Sequence, residues 1–580
     1  MREKNLSGYP SIDKPWLKYY SEEAINAHLP ECSIYEYLWE NNKDYPQDIA
    51  IRYFNKSITY RELFDNIDRC AKALVAAGVK PNDIVTVAMP STPEALYAVY
   101  AINKIGAVSN MIHPLAGQEE IVFYLNEVQS KVCLMFTGTY EILKEAIEKT
   151  SVKTAVVSSP AESLPAIVRR LYKWKSKEPR FPTDSVYISW QQFMTQGATT
   201  TLAHVNRNCN DLALISHTGG TTGDPKGVMC SDFSINSLIY QSFCCFKHDE
   251  RQHTALVVLP PFVNYSLIQS MLEMLYLGYT VILLPKYEPD KIWDYLKKYQ
   301  PNVVLSIPAY WEKLIDEKGS KGVDLSCFEQ IYYGGEAMSE EKENAIDRVL
   351  KRHGSKLELL KGLGSTELMA VASQTYPWCN EVGSVGIPLV KMNCKIVQPE
   401  TLKEVRYLEQ GEICFSGPTL MLGYYNNLEA TDAIIQSHAD GQRWLHTGDL
   451  GYMNEDGVIF VVGRIKRIIM TKGQDQQVTK MFPDRIEKVL NSHPAVQLSC
   501  VVGVPDEKRI NYAKAVIELN AGYTASEKLM AEIKDYCCDK LPNYQIPDVI
   551  EFVAALPRTE RGKIDYRALE EMAKEDTHHA

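Results

Sequence analysis

Short apolar runs alternate along this chain with longer stretches in which apolar residues recur at helical spacing. The apolar runs predict strands over 50–53, 57–60, 84–89, 255–259, 280–284, 303–307 and 330–333. The helical spacing predicts helices that begin near Tyr60 and after Thr92, and two more over 267–277 and 290–299. The first two strands form a hairpin, whereas the later ones alternate with helices. This order predicts an α/β fold with doubly wound, parallel sheets, which bind ligands beyond the carboxyl ends of their strands.

The residues after the apolar run Leu212–Ile215 have the composition of a phosphate-binding loop. They read Ser-His-Thr-Gly-Gly-Thr-Thr-Gly-Asp-Pro-Lys-Gly-Val over 216–228. Glycines let backbone N–H groups approach an anion, threonines add hydroxyl donors, and Lys226 adds a charge. Pro225 before the lysine distinguishes the loop from the common nucleotide P-loop. The set suits a polyphosphate, although a glycine-rich turn between two strands is the alternative. The candidate binding residues are Thr218, Gly219, Gly220, Thr221, Thr222, Gly223 and Lys226.

A pair of glycines follows the predicted strand at 330–333. Gly334 and Gly335 lack a Cβ, so the backbone there can lie against a flat ligand. Read alone, a plain turn between a strand and a helix is equally consistent.

An acidic residue follows a second glycine-containing turn. Glu367 ends the run Gly-Leu-Gly-Ser-Thr-Glu, and a carboxylate beside a polyphosphate loop is what Mg²⁺ requires. Alternatively, Ser365 or Thr366 caps a helix and Glu367 is an acid favoured in its first turn.

Two charged residues nearer the carboxyl end are ordinary when read alone. Asp449 ends Arg-Trp-Leu-His-Thr-Gly-Asp, where a carboxylate suits either the two hydroxyls of a ribose or a simple turn. Lys563 lies in a polar loop and on its own is a solvated surface lysine. Neither residue establishes a function without the other motifs.

Together these motifs resemble those of the adenylate-forming superfamily, which includes acyl-CoA synthetases, peptide-synthetase adenylation domains and luciferases. Thr218–Gly227 resembles the signature loop, and its Thr-Gly-Gly-Thr-Thr-Gly spelling is most similar to fatty acyl-CoA synthetases. Six motifs occur in the expected order between about residues 30 and 570.

The resemblance implies a role for each matching residue. Gly334, Gly335 and Glu336 lie against adenine, and Leu363 and Gly364 belong to the same nucleotide site. Thr366 contacts phosphate, Glu367 and Thr218 hold Mg²⁺, and Asp449 and Arg464 bind ribose. Lys466 is the hinge, Lys472 and Gly473 line the path of the thiol acceptor, and Lys563 reaches the reacting carboxylate and α-phosphate.

The chain departs from the family pattern at three places. Leu363 replaces a tyrosine that stacks on adenine, so some stacking is lost. Gln474–Met481 adds residues between Gly473 and the helix that starts at Pro483. The third place is near residue 263. There some relatives have an aspartate, which holds a substrate ammonium, and others have a histidine. Here the predicted acyl pocket reads Val263, Asn264 and Tyr265.

The resemblance further implies two domains: residues 1–465, an adenylation domain of α/β subdomains with a small β region near 382–462, and residues 466–580, a mobile α+β lid. The implied reaction joins a carboxylic acid to AMP at the expense of ATP and then transfers the acyl group to coenzyme A. An apolar pocket favours a medium- or long-chain fatty acid. The alternatives are an aryl acid, a carrier-protein acceptor, or a degenerate nucleotide-binding module without activity.

Composition excludes several other classes of protein. A net charge of −11 argues against nucleic acid as the main partner. The 14 cysteines show neither zinc-ligand spacing nor a disulfide framework, which favours a reducing cytoplasm. No apolar run is long enough to span a bilayer. For the oligomeric state, a monomer or homodimer is expected.

One stretch differs from the acidic remainder of the chain. Ile167–Arg180 combines six basic residues with Leu171, Tyr172 and Trp174. It is either a solvated insertion or a surface helix that makes weak peripheral contact with anionic lipid.

Overall fold

A computed structural model describes residues 6–175, 181, 186–218, 225–245, 251–399, 401–472, 478–506, 509–558 and 564–578. Its strands are β1 (Ile49–Tyr53), β2 (Lys56–Thr59), β3 (Ile84–Ala88), β4 (Val108–Met111), β5 (Val132–Phe136), β6 (Thr154–Ser158), β7 (Tyr187–Ser189), β8 (Leu212–Thr218), β9 (Lys226–Ser231), β10 (Thr254–Val257), β11 (Thr280–Leu283), β12 (Val303–Ser306), β13 (Gln330–Tyr333), β14 (Leu360–Leu363), β15 (Ser373–Gln374), β16 (Ile387–Pro388), β17 (Asn393–Val397), β18 (Gly411–Ser416), β19 (Gly423–Tyr424), β20 (Ile435–Ser437), β21 (Arg443–Met453), β22 (Ile459–Arg464), β23 (Ile469–Lys472), β24 (Val478–Met481), β25 (Val496–Asp506), β26 (Ile510–Leu519) and β27 (Val549–Val553).

The helices are α1 (Pro10–Asp13), α2 (Glu22–Asn26), α3 (Ile34–Asn42), α4 (Tyr60–Ala76), α5 (Pro93–Lys104), α6 (Gln118–Glu127), α7 (Tyr140–Glu148), α8 (Ala166–Lys175), α9 (Trp190–Gln196), α10 (Asp232–Phe243), α11 (Glu273–Tyr276), α12 (Ile292–Tyr299), α13 (Pro308–Trp311), α14 (Glu340–Arg352), α15 (Leu428–Ile434), α16 (Pro483–Asn491), α17 (Glu527–Cys538) and α18 (Tyr566–His578). A π-helix, Tyr265–Leu272, runs directly into α11.

Two large sheets form the body of the molecule. One has eight strands in the order β19-β9-β8-β4-β3-β5-β6-β7, and the other has nine in the order β16-β15-β14-β13-β12-β10-β11-β1-β2. Their central strands are parallel, whereas the outer strands β2, β9, β15, β16 and β19 pair antiparallel. A continuous cluster of buried apolar side chains joins strands of both sheets to α4, α5, α10 and the π-helix. This arrangement confirms the predicted α/β fold.

A third sheet forms the predicted small β region. Strands β17, β18, β21 and β20 lie in that order, and β22 pairs with β21. Beyond them, the carboxyl-terminal α+β unit has the three-stranded sheet β25-β26-β27 and the hairpin β23-β24. The domain boundary between residues 465 and 466 stays a prediction.

The local predictions agree with the structure except around one helix. Thr59 caps α4 together with Glu62, and Thr92 caps α5, as the sequence indicates. The helix predicted over 267–277 begins earlier and is largely a π-helix. Because residues 266–275 are buried on every side, their pattern offers no exposed face from which helical spacing can be read.

Searched over the described ranges, the helices include none with the length and apolar character needed to cross a membrane. All 14 cysteines are free thiols, in agreement with the expectation that no disulfide framework exists.

Candidate functional site

Strands β8 and β9 hold the two ends of the glycine-rich loop. Thr218, the last residue of β8, pairs in antiparallel register with Lys226, the first residue of β9. Lys226 and Thr218 therefore lie side by side at one edge of the eight-stranded sheet. The predicted phosphate-binding residues between them, Gly219, Gly220, Thr221, Thr222 and Gly223, lie outside the described residues.

Tyr424 links the loop to the predicted metal ligand. The Lys226 Nζ lies 5.2 Å from the centroid of the Tyr424 ring, and the Tyr424 hydroxyl donates a 2.7 Å hydrogen bond to Glu367 Oε1. Burial and the Glu367 carboxylate together raise the pKa of the Tyr424 phenol, so the hydroxyl keeps its proton. The sequence analysis did not predict a role for Tyr424. Its signals are the glycine that precedes it and the pairing of its short strand with β9.

The turn that carries Glu367 is built around a glycine that tolerates no side chain. A Cβ on Gly364 would lie 1.9 Å from the carbonyl oxygen of Ala370, closer than any real contact. The backbone N–H of Met421 donates to the Glu367 carbonyl at 2.9 Å and fixes the turn from the other side. Thr366 begins the short 3₁₀ helix Thr366–Leu368, which lies next to β8 and β9.

A buried hydroxyl in this turn has no hydrogen-bond partner. Within the described part of the chain, nothing bonds to the Oγ of Ser365, which precedes Thr366. An unpaired buried hydroxyl is costly, so this Oγ is free to accept or donate a further hydrogen bond.

The glycine pair lies beside the same turn. Strands β13 and β14 are parallel and in register, so Gly334 follows β13 next to Gly362 in β14. A Cβ placed on Gly334 would lie 3.6 Å from the Gly362 carbonyl oxygen and 3.7 Å from the Tyr265 ring. Gly335 has a φ of +85° and open space where a Cβ would point. The turn thus offers a flat backbone surface that an aromatic ring borders.

Leu363 packs against the core rather than standing free beside the glycine pair. It is partly buried, and its carbonyl accepts from the N–H of Ala372 at 2.9 Å. An aliphatic side chain at this position supplies apolar contact but no ring for stacking. The predicted residue Glu336 follows Gly335 directly.

Asp449 and Arg464 face each other across neighbouring strands. They are paired in the register of β21 and β22, and Arg464 Nε lies 2.9 Å from Asp449 Oδ1. Burial raises the pKa of Asp449 to about 6, and the Arg464 guanidinium partly opposes that rise. The structure therefore brings together the two residues predicted to bind ribose.

A buried network under this pair was not predicted. Glu412 accepts a hydrogen bond from the Gly448 N–H at 3.0 Å and lies 2.8 Å from His446 Nδ1. His446 Nε2 is in turn 3.0 Å from His438 Nε2. Cys414 completes a Glu-Cys-His group with metal-like spacing, but hydrogen bonds account for its arrangement. We infer that Glu412 fixes the turn that presents Asp449.

The state of Asp449 predicts a pH dependence. An ionised carboxylate accepts hydroxyl hydrogen bonds more strongly than a neutral carboxyl, so if Asp449 binds ribose as the resemblance implies, kcat/KM for ATP should fall by up to about tenfold as the pH drops below about 6. Asp449→Asn should lower kcat/KM about tenfold at neutral pH and flatten this fall. The measurement is initial rate against ATP concentration from pH 5 to 8.

Asp440→Asn is the matched control. Despite some burial, the Lys395 ammonium and other hydrogen bonds hold the pKa of Asp440 at about 2, below the range tested. If kcat/KM falls equally at low pH in the wild type and in Asp449→Asn, the ionisation of Asp449 does not control ATP binding.

The residues predicted to form the hinge and the lid follow this pair in the sequence. Lys466 is exposed in the 3₁₀ helix Ile465–Arg467, and Lys472 ends β23 with its N–H donating to the Arg509 carbonyl at 2.8 Å. The residues added after Gly473 form β24 in their second half, which pairs with β23. Gly473 itself and Lys563 lie outside the described residues.

Arg467 is bound firmly to the carboxyl-terminal unit. Its guanidinium lies 2.7 Å from Asp484 and 2.5 Å from Glu487, and 3.9 Å from the Tyr566 ring centroid. Sequence reasoning had no signal for this cluster, because its members lie far apart in the chain.

The predicted acyl-pocket residues begin the π-helix. Asn264 is buried, accepts a hydrogen bond from the Ser216 hydroxyl and lies 3.8 Å from the Cys230 thiol. It therefore fastens the π-helix to β8 and β9. The Tyr265 ring lies near Gly334, and Val263 is partly buried.

Comparisons with known proteins agree with this arrangement. The family model of AMP-binding enzymes matches residues 38–425, and that of the AMP-binding enzyme C-terminal domain matches 485–563. The chain is 28% identical to a long-chain-fatty-acid–CoA ligase of Bacillus subtilis, over 97% of this chain and 99% of that protein. It is 27% identical to a probable 4-coumarate–CoA ligase of Dictyostelium discoideum, over 94% and 96% of the two chains.

Solved structures share the fold. An anthranilate CoA ligase in complex with anthranoyl-AMP superimposes with a TM-score of 0.81 at 22% identity, covering 96% of this chain and 99% of that one. ATP-bound MatB from Rhodopseudomonas palustris gives a TM-score of 0.77 at 23% identity, with coverage of 94% and 99%. Because the first family model matches well over half of the chain, this protein belongs to the AMP-binding, adenylate-forming enzyme family.

Proposed function

We propose that this protein is an AMP-forming acid–thiol ligase that makes an acyl-AMP from ATP and a carboxylic acid and then transfers the acyl group to coenzyme A. The observation that carries the proposal is the meeting of Lys226 and Glu367 at Tyr424, at the end of a glycine-rich loop. CoA ligases of this family use ATP, Mg²⁺ and coenzyme A. Likeness over nearly the full length of two CoA ligases supports the same chemistry here.

In the first half-reaction, the substrate carboxylate attacks the α-phosphorus of ATP and pyrophosphate leaves. Lys226 and the hydroxyl of Thr218 lie at the loop and contact the polyphosphate, while Lys563 offsets charge at the attacked phosphorus. Gly334 and Gly335 receive adenine, and Asp449 accepts the ribose hydroxyls.

The residues present fit a bound Mg²⁺. The Glu367 carboxylate and the Thr218 hydroxyl are oxygen ligands of the kind that Mg²⁺ prefers, and the unpaired Ser365 hydroxyl lies in the same turn. When bound, the ion neutralises charge on the phosphates. Tyr424 holds Glu367 in place through its hydrogen bond.

In the second half-reaction, the thiol attacks the acyl carbon and AMP leaves. We assign this step to a second position of the lid, residues 466–580, reached by rotation about Lys466. Lys472 and Gly473 then border the path of the thiol.

The relatives support two classes of acid as the substrate. A medium- or long-chain fatty acid agrees with the Bacillus subtilis relative, and an aryl acid agrees with the Dictyostelium discoideum relative. A carrier protein in place of coenzyme A, and a nucleotide-binding module without activity, stay as alternatives.

One assay separates these possibilities. The purified protein is incubated with ATP, Mg²⁺ and a panel of fatty and aryl acids, with and without coenzyme A, and pyrophosphate and thioesters are measured. Acid-dependent pyrophosphate release with an acyl-CoA product supports the proposal. Release without acyl-CoA favours a carrier protein, and no release with any acid contradicts ligase activity.

A further inference from the structure

Polar side chains lie buried along the π-helix that begins at Tyr265, a predicted acyl-pocket residue. The π-helix and the first residue of α11 contribute Ser266, Gln269, Ser270 and Glu273, each no more than 5% exposed. Helix α10, which packs against the π-helix, contributes the buried Ser237, Gln241 and Ser242. Buried polar groups are retained when something satisfies their hydrogen bonds.

Three of these residues form one cluster. Gln269 Nε2 donates to Ser242 Oγ at 3.2 Å, and Ser242 is also a hydrogen-bond partner of the Glu273 carboxyl. Ser242 itself donates to the Leu238 carbonyl at 2.9 Å. The hydroxyl of Ser242 is therefore fully used, and the cluster is fixed to α10.

Two oxygens of this cluster have no partner. Among the described residues, nothing donates to Gln269 Oε1 or to Glu273 Oε2, although both side chains are buried. Burial also raises the pKa of the Glu273 carboxyl well above its usual range. Ser242 gives its only proton to the Leu238 carbonyl, so a neutral Glu273 carboxyl donates its own proton to Ser242. The other Glu273 oxygen and Gln269 Oε1 are then acceptors, and the missing partner is a hydrogen-bond donor.

The cluster lies on the same helix as the substrate end of the site. Tyr265, at the start of the π-helix, lies against Gly334, and Glu273 follows eight residues later. Because the predicted acyl-pocket residue Tyr265 begins this helix, an acid that extends along the helix from that pocket would bring its far end toward Gln269 and Glu273.

We infer that Gln269 and Glu273 recognise a hydroxyl or amino group at the end of the substrate acid remote from its carboxylate. This inference rests on the proposed function, because it names the substrate class of the same site. It differs from the expectation of an apolar pocket. A plain alkyl or phenyl end would leave both acceptors without partners, which a site built for hydrogen bonding disfavours strongly.

The test uses pairs of acids that differ only in the remote group. Cinnamate is compared with 4-hydroxycinnamate and 4-aminocinnamate, and C6 to C12 fatty acids with their ω-hydroxy forms, by pyrophosphate release. We expect the wild type to favour the donor-bearing member by at least about tenfold in kcat/KM. Glu273→Leu should remove or reverse that preference while retaining adenylation of the unsubstituted acids.

Glu94→Gln is the matched control. Like Glu273, Glu94 is a buried carboxyl, and its pKa is raised to about 7, but it lies in α5 rather than on the π-helix side of the site. Gln269→Leu provides a second variant in case Glu273→Leu does not fold. Equal rates within every pair, or a preference that Glu273→Leu and Gln269→Leu both retain, would overturn the inference while leaving the ligase function intact. No pyrophosphate release with any acid would overturn both.

A separate observation concerns helix α8. Ile167, Leu171 and Trp174 are 75%, 53% and 80% exposed, and their spacing places them on one face of the helix. Tyr172, on another face, packs against the core, so the apolar face is turned away from the protein. Three large apolar side chains on an outward face are unusual for a surface helix.

Basic residues border this face. Arg170 and Lys175 are exposed, whereas Arg169 lies 3.7 Å from Glu162 and also bonds its carbonyl. These charges stand out in a chain with a net charge of −11. An outward apolar face with Trp and flanking cations is the composition of helices that lie in the headgroup region of anionic membranes.

We propose that α8 binds the surface of anionic membranes. Vesicles of phosphatidylcholine with and without phosphatidylserine are sedimented with the full-length protein, and tryptophan emission is recorded. We expect the wild type to bind only vesicles that contain phosphatidylserine, and its tryptophan emission to shift on binding. Arg170→Glu and Lys175→Glu should each lower partitioning to the vesicles about fivefold. Trp174→Ser should lose the emission shift.

Trp378→Ser is the control, since Trp378 is 50% exposed on another part of the surface. Absence of binding by the wild type, or binding that Trp174→Ser leaves unchanged, would overturn this proposal. So would concentration-dependent self-association that Trp174→Ser abolishes, because α8 would then cover a second copy of the chain.

Discussion

Replacing Lys563 by alanine is expected to lower acyl-adenylate formation by about a thousandfold, yet to leave the use of a supplied acyl-adenylate by coenzyme A nearly unchanged. In the proposed mechanism this lysine offsets charge only while the α-phosphorus is attacked. Once the acyl-adenylate exists, pyrophosphate has left and that charge no longer has to be offset. The two half-reactions should therefore separate in a single variant.

Gly473→Leu should give the opposite pattern. A bulky side chain at this position narrows the path of the thiol, so adenylation persists while thioester formation slows. ATP–pyrophosphate exchange measures the first step, and chemically made acyl-adenylate with coenzyme A measures the second. Lys528→Ala, an exposed lysine of α17, serves as the control for both. Equal loss of the same half-reaction in Lys563→Ala and Gly473→Leu would contradict a lid with two positions.

The second large effect is expected for Glu367→Gln. The change removes the negative charge proposed to hold Mg²⁺ but keeps the size of the side chain. Adenylation should fall about a hundredfold at a fixed Mg²⁺ concentration, with partial recovery as the ion is raised. The readout is pyrophosphate exchange titrated with Mg²⁺.

Tyr424→Phe tests the support of Glu367 rather than its charge. This variant loses only the 2.7 Å hydrogen bond to Glu367, so we expect a loss of about tenfold with little change in the Mg²⁺ titration. If Glu367→Gln keeps the wild-type dependence on Mg²⁺, the assignment of Glu367 as a metal ligand is wrong.

Much of this fold could be predicted because its information is local. Strands β10 to β13 are short apolar runs, and the caps at Thr59 and Thr92 follow from residue types at fixed spacing. The glycine turns around Gly334 and Gly364 were likewise visible as sequence, although only at Gly364 would a Cβ clash with the backbone.

The parts that escaped prediction depend on contacts between distant residues. Tyr424 gains its role from Glu367, 57 residues away, and Glu412 gains its role from His446, 34 residues away. The polar cluster at Gln269 was hidden because sequence cannot tell a buried polar residue from a solvated one. The all-round burial of the π-helix removed the periodicity that would have placed it.

The position of Asp484 has a mechanical consequence for the lid. Its carboxylate accepts from the backbone N–H of Arg464 at 3.1 Å and also pairs with Arg467, so it bridges the two sides of Lys466. Arg467 would travel with the lid through Glu487, but the bond to Arg464 cannot survive a large rotation about Lys466. A single bond of this kind contributes about 1 kcal/mol, which biases a two-position equilibrium roughly fivefold. If the lid rotates about Lys466 as proposed, Asp484 would act as a weak latch that opens in each turnover.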